Sequence, residues 1–276
     1  MLAGIHSAMP RVMTIPDTGV DYDKWWRAGA GRPCVTCAQG DSKEAVAVQS
    51  LGPSFFPMRP FGPDRDDRPV RYLLVAMEPS AGWVKGYLRE GKDLAKARNF
   101  GGQDPRGDAA VQFAAREWLC EPDETFLLTD IAKCAVLNTN EHPASRTASW
   151  RYRNCAPILE SEAGLFQLKA VIAVGSPVHD ALREREWVGR QPLFRVLHFS
   201  NVASSHRARL LTTDAERDVD EATVDRYRAF IRGRQAALRQ HGPADATVNV
   251  SRSTQDLLAV YRKQLGAIKQ ASAAAI

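Results

Sequence analysis

Four cysteines fall in an order that suits thiolate chemistry: "CVTC" supplies Cys34 and Cys37, "KC" supplies Cys134 and "NC" supplies Cys155. A two-residue spacer lets paired thiolates clasp one metal centre. Two more thiolates from elsewhere complete four ligands, for a [4Fe-4S] cluster or for a structural zinc. A fifth cysteine, Cys120, reads as a small buried side chain. The third of the four closes the stretch "LTDIAKC" (128–134), in which an apolar run carries Asp130 to the expected carboxyl end of a strand. That acid reads either as a group aimed at a ligand or as one that pairs with Lys133 or caps a loop.

These residues need a scaffold, and the apolar patterning predicts one. "RYLLVAM" (71–77), "TFLLTDIAKC" (125–134), "AVIAVG" (170–175) and "FRVLHFS" (194–200) are short apolar runs separated by helix-length segments. That is the pattern of a mostly parallel four-stranded sheet covered on both faces, with its site at the carboxyl ends of the strands. "GDAAVQFAAREWLC", "SWRYRNCAPILESEAGLFQL" and "SPVHDALRERE" are the expected crossover helices, the last capped by Ser176 with Pro177 at its first position. The proline- and glycine-rich stretch 51–69 reads as a connector. Beyond residue 213, helical spacing returns in 214–240 and again from "STQDLLAVYRKQLGAIKQ". The expected organisation is an N-terminal extension (1–30), an α/β domain (31–213) and a helical C-terminal extension (214–276).

With 276 residues, 44% of them hydrophobic and 25% charged, the composition is that of a globular chain with a full core. The net charge of +5 permits a polyanionic partner without requiring one. Arg226, Arg228, Arg232, Arg234 and Arg239 read as a solvated helix face that could also touch phosphate. No apolar run has the length of a membrane span, and "MLAGIHSAMPRV" lacks the features of a signal peptide. A cytoplasmic monomer is expected, in a reducing compartment where the cysteines are better suited to metal than to disulfides.

In this order the motifs resemble the uracil-DNA glycosylase superfamily, above all its iron-sulfur class. That class has a CxxC, a strand ending in a GExPG-like loop, a "TNVVKC"-like segment, a further cysteine and a strand ending in a histidine loop. The chain has "CVTC", "AMEPSAGW", "LTDIAKC", "NC" and "LHFSNVASSHRARL" in that order, over roughly residues 31 to 212. The resemblance implies a three-layer α/β/α fold that binds DNA, and a cluster held by Cys34, Cys37, Cys134 and Cys155. It implies that Glu78 positions or activates water and that His198 stabilises the departing base anion. Pro79 and Ser80 lie in the first loop beside the base, with Ser80 where the family has glycine. Phe100, in "ARNFGG", matches the phenylalanine that stacks on the extruded base. Ser200, Val202, Ser204, Ser205 and Arg207 match the loop that enters the minor groove and meets phosphates, and Phe199 stands where the family has proline.

Asp130 occupies the position of the family's base-pairing asparagine. An ionised carboxylate only accepts hydrogen bonds. It meets a carbonyl on uracil but an amino group on cytosine, the pairing by which acids read cytosine. The substitution therefore implies a cytosine-like base. Removing ordinary cytosine would destroy the host genome, so a modified cytosine such as the glucosylated hydroxymethylcytosine of phage DNA is the expected substrate, in an antiviral role. The alternatives are a uracil or deaminated-base repair glycosylase and a non-catalytic or covalently trapping DNA-binding protein. No lysine stands at a nucleophile position in these loops, so the resemblance implies base hydrolysis to an abasic site without a lyase step.

Overall fold

The computed structural model describes residues 50–53, 68–78, 108–136, 144–185, 191–199, 209–238 and 248–274. In chain order the strands are β1 (Ser50–Pro53), β2 (Val70–Ala76), β3 (Thr125–Asp130), β4 (Cys134–Val136), β5 (Ala170–Val174) and β6 (Leu193–Val196). The helices are α1 (Asp108–Ala114), α2 (Ala144–Gly164), α3 (Ser176–Arg185), α4 (Asp214–Arg217), α5 (Glu221–Leu238) and α6 (Arg252–Ala274). α1 runs on into a wider turn, Ala115–Leu119, closed by Cys120 N donating to Ala115 O at 3.0 Å.

β3, β2, β5 and β6 form one sheet in that order, and every pairing in it is parallel. Every residue of β3 and β5 is buried, as expected for strands covered on both faces. The two faces are read directly from residue parity. Tyr72, Leu74, Ala76, Phe126, Leu128, Ile172 and Val174 pack with Phe113 of α1, Tyr227 of α5 and Leu257, Tyr261 and Leu265 of α6. Leu73, Val75, Leu127, Val171 and Ala173 pack with Tyr152 and Leu159 of α2 and Val178 and Leu182 of α3. The fold is a three-layer α/β/α sandwich, as the patterning predicts. Each of these buried aliphatic side chains contributes about 1.5–3 kcal/mol.

Three local features differ from the sequence expectations. The run 125–134 is not one strand: it leaves the sheet at Asp130, with Ile131 N and Ala132 N still bonded to Ala76 O (2.8 Å) and Met77 O (3.0 Å), and resumes as β4. β4 pairs antiparallel with β1, with Pro53 opposite Cys134. The first residues of the predicted connector therefore form a strand, its partner being more than eighty residues away, which local composition does not reveal. Third, α3 begins one residue earlier than the Ser176 cap predicts, because His179 N bonds to Gly175 O at 3.2 Å. The Ser176 hydroxyl instead accepts from Arg195 at 3.2 Å.

The helices of 214–276 form a layer against the sheet. α4 starts with a capping box between Thr213 and Glu216, and the Glu216 carboxylate also accepts from Lys263 of α6 at 2.7 Å. Among the described residues, no helix is long and apolar enough to cross a membrane.

Candidate functional site

A parallel sheet delivers all its carboxyl ends to one edge. β2 leads to Glu78, β3 ends at Asp130, β5 leads to Gly175 and β6 leads to His198. Chain order reverses across β2, with β3 on one side and β5 on the other. That reversal opens a crevice outside the carboxyl ends. Adjacent strands lie roughly 4.8 Å apart, so the chains bearing Glu78 and His198, two strands apart, are separated by roughly 10 Å.

Asp130 lies opposite Ala76 in register and is only 3% exposed. Burial pushes its carboxyl well above the usual carboxylate range, Lys133 opposes that rise, and the charges of Glu78, Asp108 and Glu162 add to it. No hydrogen bond from a described residue stabilises its charged form. Lys133 is not its partner: the ammonium is buried on the opposite side of the strand, 2.9 Å from Glu162 of α2, and also donates to Thr129. Thr129 in turn donates to Glu162 at 2.8 Å. The lysine charge is thus matched by Glu162, and among the described residues Asp130 has no bonded counter-ion. Reading "LTDIAKC" as an aspartate paired with its own lysine does not hold. Burial thus favours the neutral carboxyl, which has a donor as well as an acceptor where the sequence reading has an acceptor alone.

His198 is half-buried, and burial holds its imidazole below the ordinary value, favouring the neutral ring. Its ring stacks on Phe199, with centroids 4.4 Å apart at 28°. Phe199 also packs against the core. Phe199 therefore supports the histidine. On its other side is Gly175, with φ 101°. A Cβ on Gly175 would lie 3.3 Å from His198 Cβ and 3.5 Å from its Cδ2, so this position needs glycine both for its backbone and for the approach of the ring. Gly175 is not singled out by the motifs, although a glycine directly after a strand is a usable signal.

Cys155 is buried on α2, and its sulfur accepts from Lys133 N at 3.5 Å. It therefore lies beside the chain that enters Cys134. The β1–β4 pairing brings the N-terminal chain alongside the same residue. Among the described residues no three histidine, cysteine or acidic side chains gather as metal ligands, and of the four cysteines only the Cys155 side chain is described. Cys120 belongs instead to the core on the other face of the sheet. Cys34, Cys37, Pro79, Ser80, Phe100, Ser200, Val202, Ser204, Ser205, Arg207 and Arg239 lie outside the described residues, as do the side chains of Cys134 and Arg234. Of the α5 arginines, Arg226 pairs with Glu117 at 3.0 Å, and Arg228 with Glu221 at 2.6 Å and Asp225 at 2.7 Å. Those two are engaged in ion pairs within the chain.

The chain matches no protein-family model, and a search of curated proteins finds no relative.

Proposed function

We propose that the protein is a monofunctional DNA glycosylase that extrudes a nucleotide, hydrolyses its N-glycosyl bond and leaves an abasic site. The observation that carries this reading is Asp130, a carboxyl 97% buried at a strand end, with no described hydrogen-bond partner. A buried acid at the carboxyl edge of a parallel sheet stands where folds of this kind bind ligands. Glu78 and His198 at the ends of β2 and β6, two strands apart in the same sheet, together with the motif order, support a base as the ligand.

In this mechanism the neutral His198 donates to the ring carbonyl and stabilises the anion that forms as the bond breaks. Glu78, half-buried at the end of β2, positions the attacking water and faces the developing sugar cation. Extrusion costs roughly a few kcal/mol, offset in this reading by stacking from Phe100, by the Val202 wedge and by phosphate contacts from Ser200, Ser204, Ser205 and Arg207. Cys34, Cys37, Cys134 and Cys155 would hold a [4Fe-4S] cluster, or a zinc in its place, that ties the N-terminal segment to the chain after Asp130. Such a centre supplies rigidity and needs no redox turnover.

Asp130 reads the base edge. As a neutral acid it donates to cytosine N3 and accepts from the exocyclic amino group. With its proton on the other oxygen it also satisfies uracil, donating to O4 and accepting from N3–H. Once ionised it accepts from the cytosine amino group but turns a second acceptor toward N3, just as it accepts from uracil N3–H while facing O4, so ionisation costs one contact with either base. The neutral acid therefore satisfies either edge, according to which oxygen carries the proton. We place a 5-modified cytosine first, since unmodified cytosine must be spared, with an antiviral role on phage DNA. Uracil repair is the second reading, favoured by the donor that a neutral Asp130 provides.

The test is mass spectrometry of bases released from plain DNA, uracil-containing DNA and DNA carrying hydroxymethylcytosine or its glucosylated form. Release of a modified cytosine alone supports the first reading and release of uracil alone the second. No release from any of these substrates contradicts the glycosylase assignment.

A further inference from the structure

β6 is an edge strand. Its pairing with β5 ends at Val196, whose carbonyl accepts from Gly175 N at 2.9 Å. Leu197 therefore leaves the sheet with an N–H and a C=O that both need partners. α6 supplies both. Gln264 Oε1 accepts from Leu197 N at 2.9 Å, and the Tyr261 hydroxyl donates to Leu197 O at 3.0 Å. The two side chains are three residues apart, on one face of the helix. Tyr261 is fully buried, and Leu257, Leu258, Leu265 and Ile268 anchor the same helix in the core. A helix more than sixty residues downstream thus does for this peptide what a fifth strand would otherwise do.

The next residue is His198, already bracketed by Gly175 and Phe199. Those contacts restrict the ring, whereas the clamp on Leu197 restricts the backbone that carries it. We propose that Tyr261 and Gln264 are positioning residues for His198, fixing the Leu197 peptide so that the imidazole is presented at the carboxyl edge of the sheet. This rests on the reading of His198 as the base-anion contact. Preorganised donors lose effectiveness when displaced by fractions of an ångström, so the C-terminal helix belongs to the site functionally as well as to the core. Its sequence signal is a glutamine among the apolar positions of "LLAVYRKQLGAI".

The experiment uses the full chain with Tyr261→Phe, Gln264→Met and Gln264→Glu. Three quantities are read: the His198 ring titration by NMR, assigned against His198→Ala; single-turnover base release; and affinity for a duplex containing an abasic site. Tyr261→Phe and Gln264→Met are expected to move the His198 midpoint up toward the ordinary imidazole value, as the ring gains access to water. They should also slow base release about tenfold each, the scale of one lost hydrogen bond, while affinity stays within about twofold. Gln264→Glu keeps the acceptor and should restore the rate. If Tyr261→Phe is folded and leaves both titration and rate unchanged, the clamp is structural only and the proposal is overturned. If the titration moves as expected and even the wild type releases no base, the clamp stands and the glycosylase reading fails.

Discussion

At the β3 edge the polar groups are set among buried charges. Asp130 is enclosed without a described hydrogen bond, and behind it Lys133, Glu162 and Thr129 form a closed network in the opposite layer. At the β6 edge His198 is held by apolar contact and neutral hydrogen bonds, from Gly175, Phe199 and the clamp on Leu197. The first arrangement places strain on protonation and the second on geometry. A site that must both match a base edge and stabilise a developing anion has use for each. An acid whose charge is adjustable can read an edge, and a donor whose position is fixed can meet a charge that appears only as the bond breaks.

The largest expected effect comes from opening the buried network at β3. Glu162→Gln leaves the Lys133 ammonium without its counter-ion and should destabilise the fold by about 3–5 kcal/mol in urea unfolding, whereas the paired replacement Lys133→Met with Glu162→Leu should recover most of the loss. Failure of the double variant to recover stability would show that the pair positions the loop entering Cys134 as well as balancing charge. At the β6 edge the expected effect is on rate. His198→Ala should lower single-turnover base release by roughly 10²- to 10³-fold with little change in melting temperature, while DNA affinity is retained. An equal loss of stability there would erase the contrast between the two edges.

The smallest effect is on the pH dependence of stability at Asp130. Because its folded-state protonation is raised, the folded chain keeps a proton that the unfolded chain releases once the pH passes about 4. Stability from this group is complete below that value and is lost progressively as the pH rises toward the raised folded value. Asp130→Asn removes the dependence. The variant should match the wild type in acid and become the more stable of the two toward alkaline pH, as read from melting temperatures across the range. A constant difference at every pH would mean that Asp130 is ionised in the folded protein.

The same contrast explains what could be read from the sequence. The β3 edge is local: Asp130, Lys133 and Cys134 fall within five residues of one another, and the apolar run before them announces a strand. Even so, the ion-pair partner of Lys133 is on α2, and Asp130's charge state follows from its burial, neither of which composition encodes. The β6 edge joins His198 and Phe199 of one stretch to Gly175, Tyr261 and Gln264 from elsewhere in the chain, which share no motif with them. His198 stands out only because it follows a strand and resembles a family loop. β2, β3 and β5 were legible because burial on both faces writes continuous apolar runs, whereas the half-exposed β6 shows only a short one. The β1–β4 pair was not, since a three- or four-residue ribbon takes its register from a distant partner.

The central claim is that Asp130 reads a base edge and does so mainly as a neutral acid. It is tested most directly by wild-type base release from matched oligonucleotides carrying uracil or a 5-modified cytosine, measured at several pH values. Release of the favoured base should fall as the pH rises and Asp130 loses the proton it donates. One good base-edge contact is worth roughly 1–3 kcal/mol, so the rate should fall by about one to two powers of ten, and Asp130→Asn, which keeps an N–H donor at every pH, should abolish that fall. A wild-type rate that does not fall with pH, or a fall unchanged by Asp130→Asn, would contradict the account.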